Sequence, residues 1–490
     1  MANTSFPGLR GNMQDLEDAI TPTQDAVNKT PSGHPDLATI LSTLGTVLST
    51  RYNSMSNMQD IQDAIKNTKA AVNKMPSDDP DLPGMLNNLG CFLGDRYDRM
   101  GIMQDLEDAI NHTQAAVNKT PANHPNLPGR LSNLGSRLSS RYNRMGNMQD
   151  LEDAINHTQD AVNKTPSDHP DLPGILSNLA NRLSDRYNRM GNVQDLEDSI
   201  KHTQDAVNKT PSDHLDLPGI LSNLANQLSG RYNRMGNMKD LEDAINHTQD
   251  AVNKTPFDHP DLPGILSNLA NRLSDRYNRM GNLQDLEDSI KHTQDAVNKT
   301  PSDHLDLPGI LSNLANRLSD RYNRMGNTQD LEDSIKHTQV AVNKTPSDHP
   351  DLPRILSNLA NRLSSRYNRM GNMQDLEDAI KHAQAAVNKT PSDHPNLPGW
   401  LNILGSLLSD RYNRMSNMQD LEDAINYTQD AVNKTPSDHP NLPGRLNNLG
   451  KLKSHRHDRI GNMQDLEDAI NHTQDAVNKM PSDHSDLPGL

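Results

Sequence analysis

The sequence predicts an all-α solenoid of about ten 45-residue helical hairpins, and three observations carry that expectation. A segment of the form Gly146-Asn147-Met148-Gln149-Asp150-Leu151 returns every 45 residues without drift, and a fixed period of this size marks a repeat architecture. Inside the unit, apolar residues keep helical spacing. Only 32% of residues are hydrophobic and 3% aromatic, too few for one conventional large core but enough for a shared core of stacked hairpins.

Copies start at Gly11, Ser56, Gly101, Gly146, Gly191, Gly236, Gly281, Gly326, Gly371, Ser416 and Gly461. Residues 1–10 form a short non-repeat start. Residues 11–490 form one array with no linker, ending in a part-unit. In the unit from Gly146, the first helix carries Leu151, Ala154, Ile155, Thr158, Ala161 and Val162 on one face. Asp150 is expected to cap its start, with Glu152 and Asp153 complementing the helix dipole. Thr165-Pro166 ends it, because the residue before proline is pushed out of helical geometry. The second helix starts near Asp171-Leu172-Pro173 and is expected to bury Ile175, Leu176, Leu179, Ala180, Leu183 and Tyr187. Arg186 and Arg189 sit in its last turn, and Gly191 follows as a left-handed cap. Eleven first helices and ten second helices make 21 in all. Leu, Ile and Val are scarce enough for disorder to be the rival reading; the preserved phase of the apolar stripe argues against it.

The residues resemble the tetratricopeptide (TPR) family. Leu131-x2-Leu134-Gly135-x2-Leu138 matches the first half of its pattern, with leucine in both aromatic places. Ala154-x3-Thr158-x2-Ala161-x4-Pro166 matches the second half, with threonine for the aromatic. The extra length over the common 34-residue form is expected around Gly146 and after Pro166. The wording of the unit is similar to long TPR arrays of fungal proteins, which commonly accompany NACHT, NB-ARC or CHAT modules; kinesin light chain is a more distant likeness. The resemblance implies a right-handed superhelix and a non-enzymatic protein-interaction scaffold, the sensor or docking array of a larger fungal signalling protein. The alternative is a regulatory repeat fragment of an enzyme, a CHAT-type peptidase or an NTPase receptor, whose catalytic domain lies outside this chain. No P-loop pattern G-x4-G-K-[ST] is present in the chain.

By the same resemblance the second helices line the concave surface, where a protein or peptide ligand is expected. Polar positions on them are Ser177, Asn178, Asn181, Ser184 and Asp185. The amide recurs as Asn88, Asn133, Asn223, Asn226, Asn268, Asn271, Asn313, Asn316, Asn358 and Asn361. Such a ladder can hydrogen-bond an extended backbone without demanding a particular sequence. Arg182 and Arg186 are the candidate grips for a ligand carboxylate. A net charge of −16 argues against nucleic acid and against an anionic membrane surface. No cofactor or metal is expected. His157 and Asp153 share a helix face but make only half a zinc site, and His169 reads as loop chemistry. Cys91 is the single cysteine, lacks a paired base and, with no signal peptide or membrane span in view, points to a reducing, cytoplasmic setting.

The ends are expected to be poorer than the middle. Pro22 stands inside the first helix, and Lys453 and His457 replace Leu183 and Tyr187 of the reference unit. The last first-helix stripe, Leu466, Ala469, Ile470, Ala476 and Val477, is expected to lack a covering partner after the stop at Ser485-Asp486-Leu487-Pro488-Gly489-Leu490. That exposure predicts self-association through uncapped ends.

Overall fold

Twenty-one helices alternate along the computed structural model, which describes residues 13–479; no strand occurs among the described residues. The expected non-repeat start and the tail from Ser485 lie outside the described residues. The array divides into two compact units, Met1–Pro256 and Phe257–Leu490, both made of the same repeat. Among the described residues no helix is long and apolar enough to cross a membrane.

Each repeat is a first helix of 16 or 17 residues and a second of 19, such as Met148–Lys164 and Leu172–Met190. Those two helices together already exceed the entire 34-residue common unit. The extra length therefore lies in the helices and the loop after Pro166, and not around Gly146, where two residues make the whole connection. Across that short turn the second helix of one repeat packs most extensively against the first helix of the next. Leu127–Met145 with Met148–Lys164, the pair that matched the TPR pattern, is one of these closely packed hairpins.

Each turn closes by local chemistry. Gly146 adopts φ 71°, the left-handed region that favours glycine, and its N–H donates to the Tyr142 carbonyl at 2.7 Å. Asn147, not Asp150, is the N-cap: its Oδ1 accepts from the Gln149 N–H at 3.1 Å. Asp150 is buried for another purpose. Arg141, nine residues back, forks onto it, Nε to Oδ2 at 2.9 Å and Nη2 to Oδ1 at 2.7 Å. The same bidentate pair recurs from Arg51–Asp60 to Arg456–Asp465. A two-bond fork on a buried carboxylate fixes the angle at which the helices leave the turn.

Small residues set the helix separation. A Cβ on Gly135 would lie 2.5 Å from Thr158 Oγ1 and 3.0 Å from the Ala154 carbonyl, so nothing larger fits unless that threonine gives way. Leu151, Ala154, Ile155, Thr158 and Ala161 are buried as expected, as are Ile175, Leu176, Leu179, Ala180 and Leu183; Tyr187 is only half-buried. Packed groups such as Leu151, Ile155, Leu179 and Leu183 join one hairpin to the next inside the first unit.

At the expected weak points, the helix Met13–Lys29 continues through Pro22. Lys453 meets the Asp468 carboxylate, and His457 Nδ1 lies 2.9 Å from the Asn462 carbonyl oxygen. Polar partners therefore receive the two side chains expected to disturb the stripe. Ile470 is 60% exposed, whereas its counterpart Ile425 is 5% exposed.

Candidate functional site: the second-helix face

Successive second helices form the tighter row of the stack. In the first unit, Leu37–Met55, Leu82–Met100, Leu127–Met145, Leu172–Met190 and Leu217–Met235 each come close to the next, while no two first helices come comparably close. This row carries the asparagines expected to bind. Asn181 is exposed, Asn178 and Asp185 are half-buried, and Ser177 is buried rather than presented to a ligand.

Several of these amides bond from repeat to repeat. In the first unit, Asn133 Nδ2 donates to Asn87 Oδ1 at 3.1 Å, and Asn178 Nδ2 reaches Ser132 Oγ at 3.5 Å. In the second unit, Asn358 Nδ2 donates to Asn316 Oδ1 at 3.4 Å, and Asn448 Nδ2 to Asn402 Oδ1 at 3.2 Å. Asn223, Asn226, Asn268, Asn313 and Asn361 occupy equivalent places in their own repeats.

Neither arginine proposed as a carboxylate grip is placed for that role. Arg186 gives its fork to Asp195, Nε to Oδ2 at 2.8 Å and Nη2 to Oδ1 at 2.6 Å. Arg182 is 3% exposed; its Nη2 donates to Ser136 Oγ at 2.9 Å and its Nε to the Gly135 carbonyl at 3.3 Å in the preceding repeat. Arg317 and Arg362 repeat the pattern, donating from Nη2 to Asn271 Oδ1 and Asn316 Oδ1, each at 2.6 Å. Burial pushes the Arg182, Arg317 and Arg362 guanidinium groups down to about 10, so they stay charged at neutral pH. The half-buried Asp185, Asp275 and Asp320 carboxyls are pushed up by the same desolvation, against the pull of these arginines.

The sequence carried a signal for this buried cation. Ile175, Leu179, Arg182 and Arg186 follow helical spacing, and the place of Arg182 holds Phe92, Leu407 and Leu452 in other repeats. In the second unit Arg317 floors a concavity of about 200 Å³ whose walls are Asn271, Ser274, Asp275, Asn313, Asn316 and Asp320. Three of the expected asparagines meet there. Arg317 takes the Asn271 oxygen and leaves the N–H donors of that amide for other partners.

The remaining candidates stay local. His157 is half-buried, and desolvation lowers its pKa. His169 Nδ1 accepts the Asp171 N–H at 3.2 Å inside the loop. Burial pushes the Cys91 thiol up to about 11, away from the reactive thiolate. Among the described residues no group of three or more His, Cys, Asp or Glu side chains is placed to hold a metal.

Alternating helices paired in hairpins, a small residue at the close crossing and a proline after the following helix make the chain an all-α helical-repeat array. No protein-family model and no curated relative matches it. Among solved structures it is similar to the human IFIT1 dimer with PPP-AAAA at 14% identity, covering 95% of each chain, with a TM-score of 0.41. It is also similar to YrrB, described as a TPR protein with an unusual peptide-binding site, at 14% identity over 48% of this chain and 93% of that one, TM-score 0.32. BtubC (BKLC) from P. vanneervenii shows 16% identity over 53% of this chain and 93% of that one, TM-score 0.33. Likeness at this level concerns helical-repeat architecture alone, and no ligand or assembly carries over from it.

Proposed function

We propose that the chain is a non-enzymatic interaction scaffold whose second-helix face binds an extended polypeptide. The observation that carries this reading is the concavity over Arg317, where Asn271, Asn313 and Asn316 converge beside Asp275 and Asp320. Amides supply donors and acceptors to a peptide backbone in any sequence. Helix packing sets a repeat spacing of about 10 Å, which an extended chain crosses in roughly three residues. The half-buried carboxylates, desolvated by the fold, favour a ligand that brings lysine or arginine side chains. The sequence resemblance to fungal arrays is the ground for reading the scaffold as the docking part of a larger signalling protein, and the single cysteine for a cytoplasmic setting.

The test is fluorescence anisotropy of unstructured 12-residue peptides, lysine-containing against glutamate-containing, with a single-stranded RNA oligonucleotide as the competing class. Lysine peptides should bind, and Asn271→Leu with Asn313→Leu should weaken them at least tenfold at unchanged helicity. Equal affinity in the variant, or binding of the RNA alone, overturns the reading.

A further inference from the structure

Every second helix of the array ends on an exposed apolar side chain. In the second unit the four methionines among them are Met280, Met325, Met370 and Met415, which are 57–64% exposed, and Ile460 stands at the fifth helix end. Each follows an exposed arginine: Arg279, Arg324, Arg369 and Arg414. The arginine three positions earlier is a different case. Arg366 holds Asp375 through Nε and Nη2, and its Nη1 also takes Glu332 at 2.7 Å. The inner arginine thus holds the buried aspartate, and in Arg366 and Arg456 a glutamate as well, while among the described residues the outer one makes no ion pair. Between two ridge positions lies a second concavity, of about 290 Å³, lined by Tyr277, Asn278, Asp320, Asn323 and Arg324.

We propose that this turn-side ridge docks an acidic amphipathic helix of a partner protein. Methionine is unbranched and polarizable, and it suits surfaces that mould to a partner's apolar face. A row of such side chains recurring in every repeat marks an interface rather than the scatter of single exposed residues. Partner chemistry follows from charge and spacing. Arginine beside each methionine calls for a carboxylate beside each apolar residue of the ligand. The repeat spacing of about 10 Å equals roughly seven residues of α-helix at 1.5 Å each, so the ligand presents one apolar residue per heptad. The concavity at Tyr277 and Arg324 then receives a side chain between two methionines. A broad anionic bilayer fits less well, because the chain carries a net charge of −16 and keeps glutamates such as Glu287 and Glu377 exposed on its first helices.

The probe is a synthetic 28-residue helix with leucine at every seventh position flanked by glutamate, labelled for anisotropy and titrated with the full chain. Binding should weaken at least tenfold in Met325→Ser with Met370→Ser, and at least tenfold in Arg324→Glu with Arg369→Glu. The arginine effect should shrink as salt is raised, and the methionine effect should persist. All four positions are exposed, so circular dichroism should match the parent chain. A peptide with its leucines moved to an eight-residue period should bind more weakly. Equal binding of both peptides, or no loss in either variant, overturns the proposal. So does sedimentation with phosphatidylserine vesicles, or dimerisation in the ultracentrifuge, that is abolished by the methionine substitutions while the peptide fails to bind.

Discussion

The middle repeats and the end repeats differ at two positions, buried in most repeats, that lie two residues apart on the second helix. Toward the ends these are Gly45 with Val47, Gly90 with Phe92, Gly405 with Leu407, and Gly450 with Leu452. In the middle they are Ala180 with Arg182, Ala270 with Arg272, Ala315 with Arg317, and Ala360 with Arg362. Leu127–Met145 is transitional, with Gly135 and Arg137, and Gln227 takes the arginine place beside Ala225. At the ends, glycine lets the neighbouring helix approach closely and an apolar side chain fills the adjoining space. In the middle a methyl group separates the helices, and Ser199 Oγ donates to the Ala180 carbonyl at 2.7 Å across the gap. The guanidinium then reaches back to the preceding repeat. Burying a charge with incomplete partners costs stability that an apolar residue would have supplied. The middle has therefore given up dry packing for a polar, cross-linked face, and the candidate concavity over Arg317 lies on that face.

The largest expected effect comes from imposing the middle's methyl on an end repeat. A Cβ at Gly405 would sit 2.3 Å from Thr428 Oγ1 and 3.1 Å from the Ala424 carbonyl. Gly405→Ala should destabilise the second unit by about 2 kcal/mol, as overpacking of a tight core does. Adding Thr428→Ala removes the atom in the way and should restore most of the loss; Ala360 already faces Ala383 in this manner. Urea midpoints of the full chain and the two variants measure both steps. An unchanged midpoint for Gly405→Ala would mean that the close crossing does not distinguish the ends.

A smaller change of opposite sign is expected at the buried cation. Burial brings Arg317 down to about 10, well below the ordinary guanidinium value, so the folded state disfavours its charge at neutral pH. Arg317→Leu, which installs the side chain that stands at Leu407, should raise stability by about 1 kcal/mol. The stabilising difference should shrink as pH rises past about 10, where the folded wild-type guanidinium begins to lose its proton and with it the burial penalty. A loss of stability in urea at pH 7 would show that its bond to Asn271 outweighs the desolvation, and the two regions would then differ in geometry alone.

These positions also mark how far the sequence could be read. The helices, their order and the glycine turns were legible because each rests on neighbours within one helix: the spacing of Leu151, Ala154 and Ile155, the stop at Pro166, the cap at Gly191. Asp150 was misread because an acid in a first turn has two uses. Its partner, Arg141, lies nine residues away across a turn, where helical periodicity says nothing about proximity. Arg182 was read as a ligand contact because arginine is usually exposed. Its apolar replacements at Phe92, Leu407 and Leu452 were the visible sign of burial. The convergence of Asn271, Asn313 and Asn316 depends on how one hairpin sits on the next, which one unit's pattern does not encode.

The smallest expected effect concerns the turns themselves. Ser56 and Ser416 stand where the other described turns have glycine, and both are held in the left-handed region at φ 55°. A side chain there costs about 1–2 kcal/mol, while glycine gives back about 0.5–1 kcal/mol through its freer unfolded chain. The difference leaves Ser416→Gly more stable by roughly 0.5–1 kcal/mol. Gly236→Ser should lose a similar amount, because Gly236 sits at φ 71° in the same kind of turn. Hydrogen exchange at the amides of Asn417 to Asp420 reads the change locally, slowing in the first variant, with the equivalent amides after Gly236 speeding up in the second. If neither rate moves, the serine turns are unstrained, and the contrast between ends and middle is confined to the two positions on the second helix.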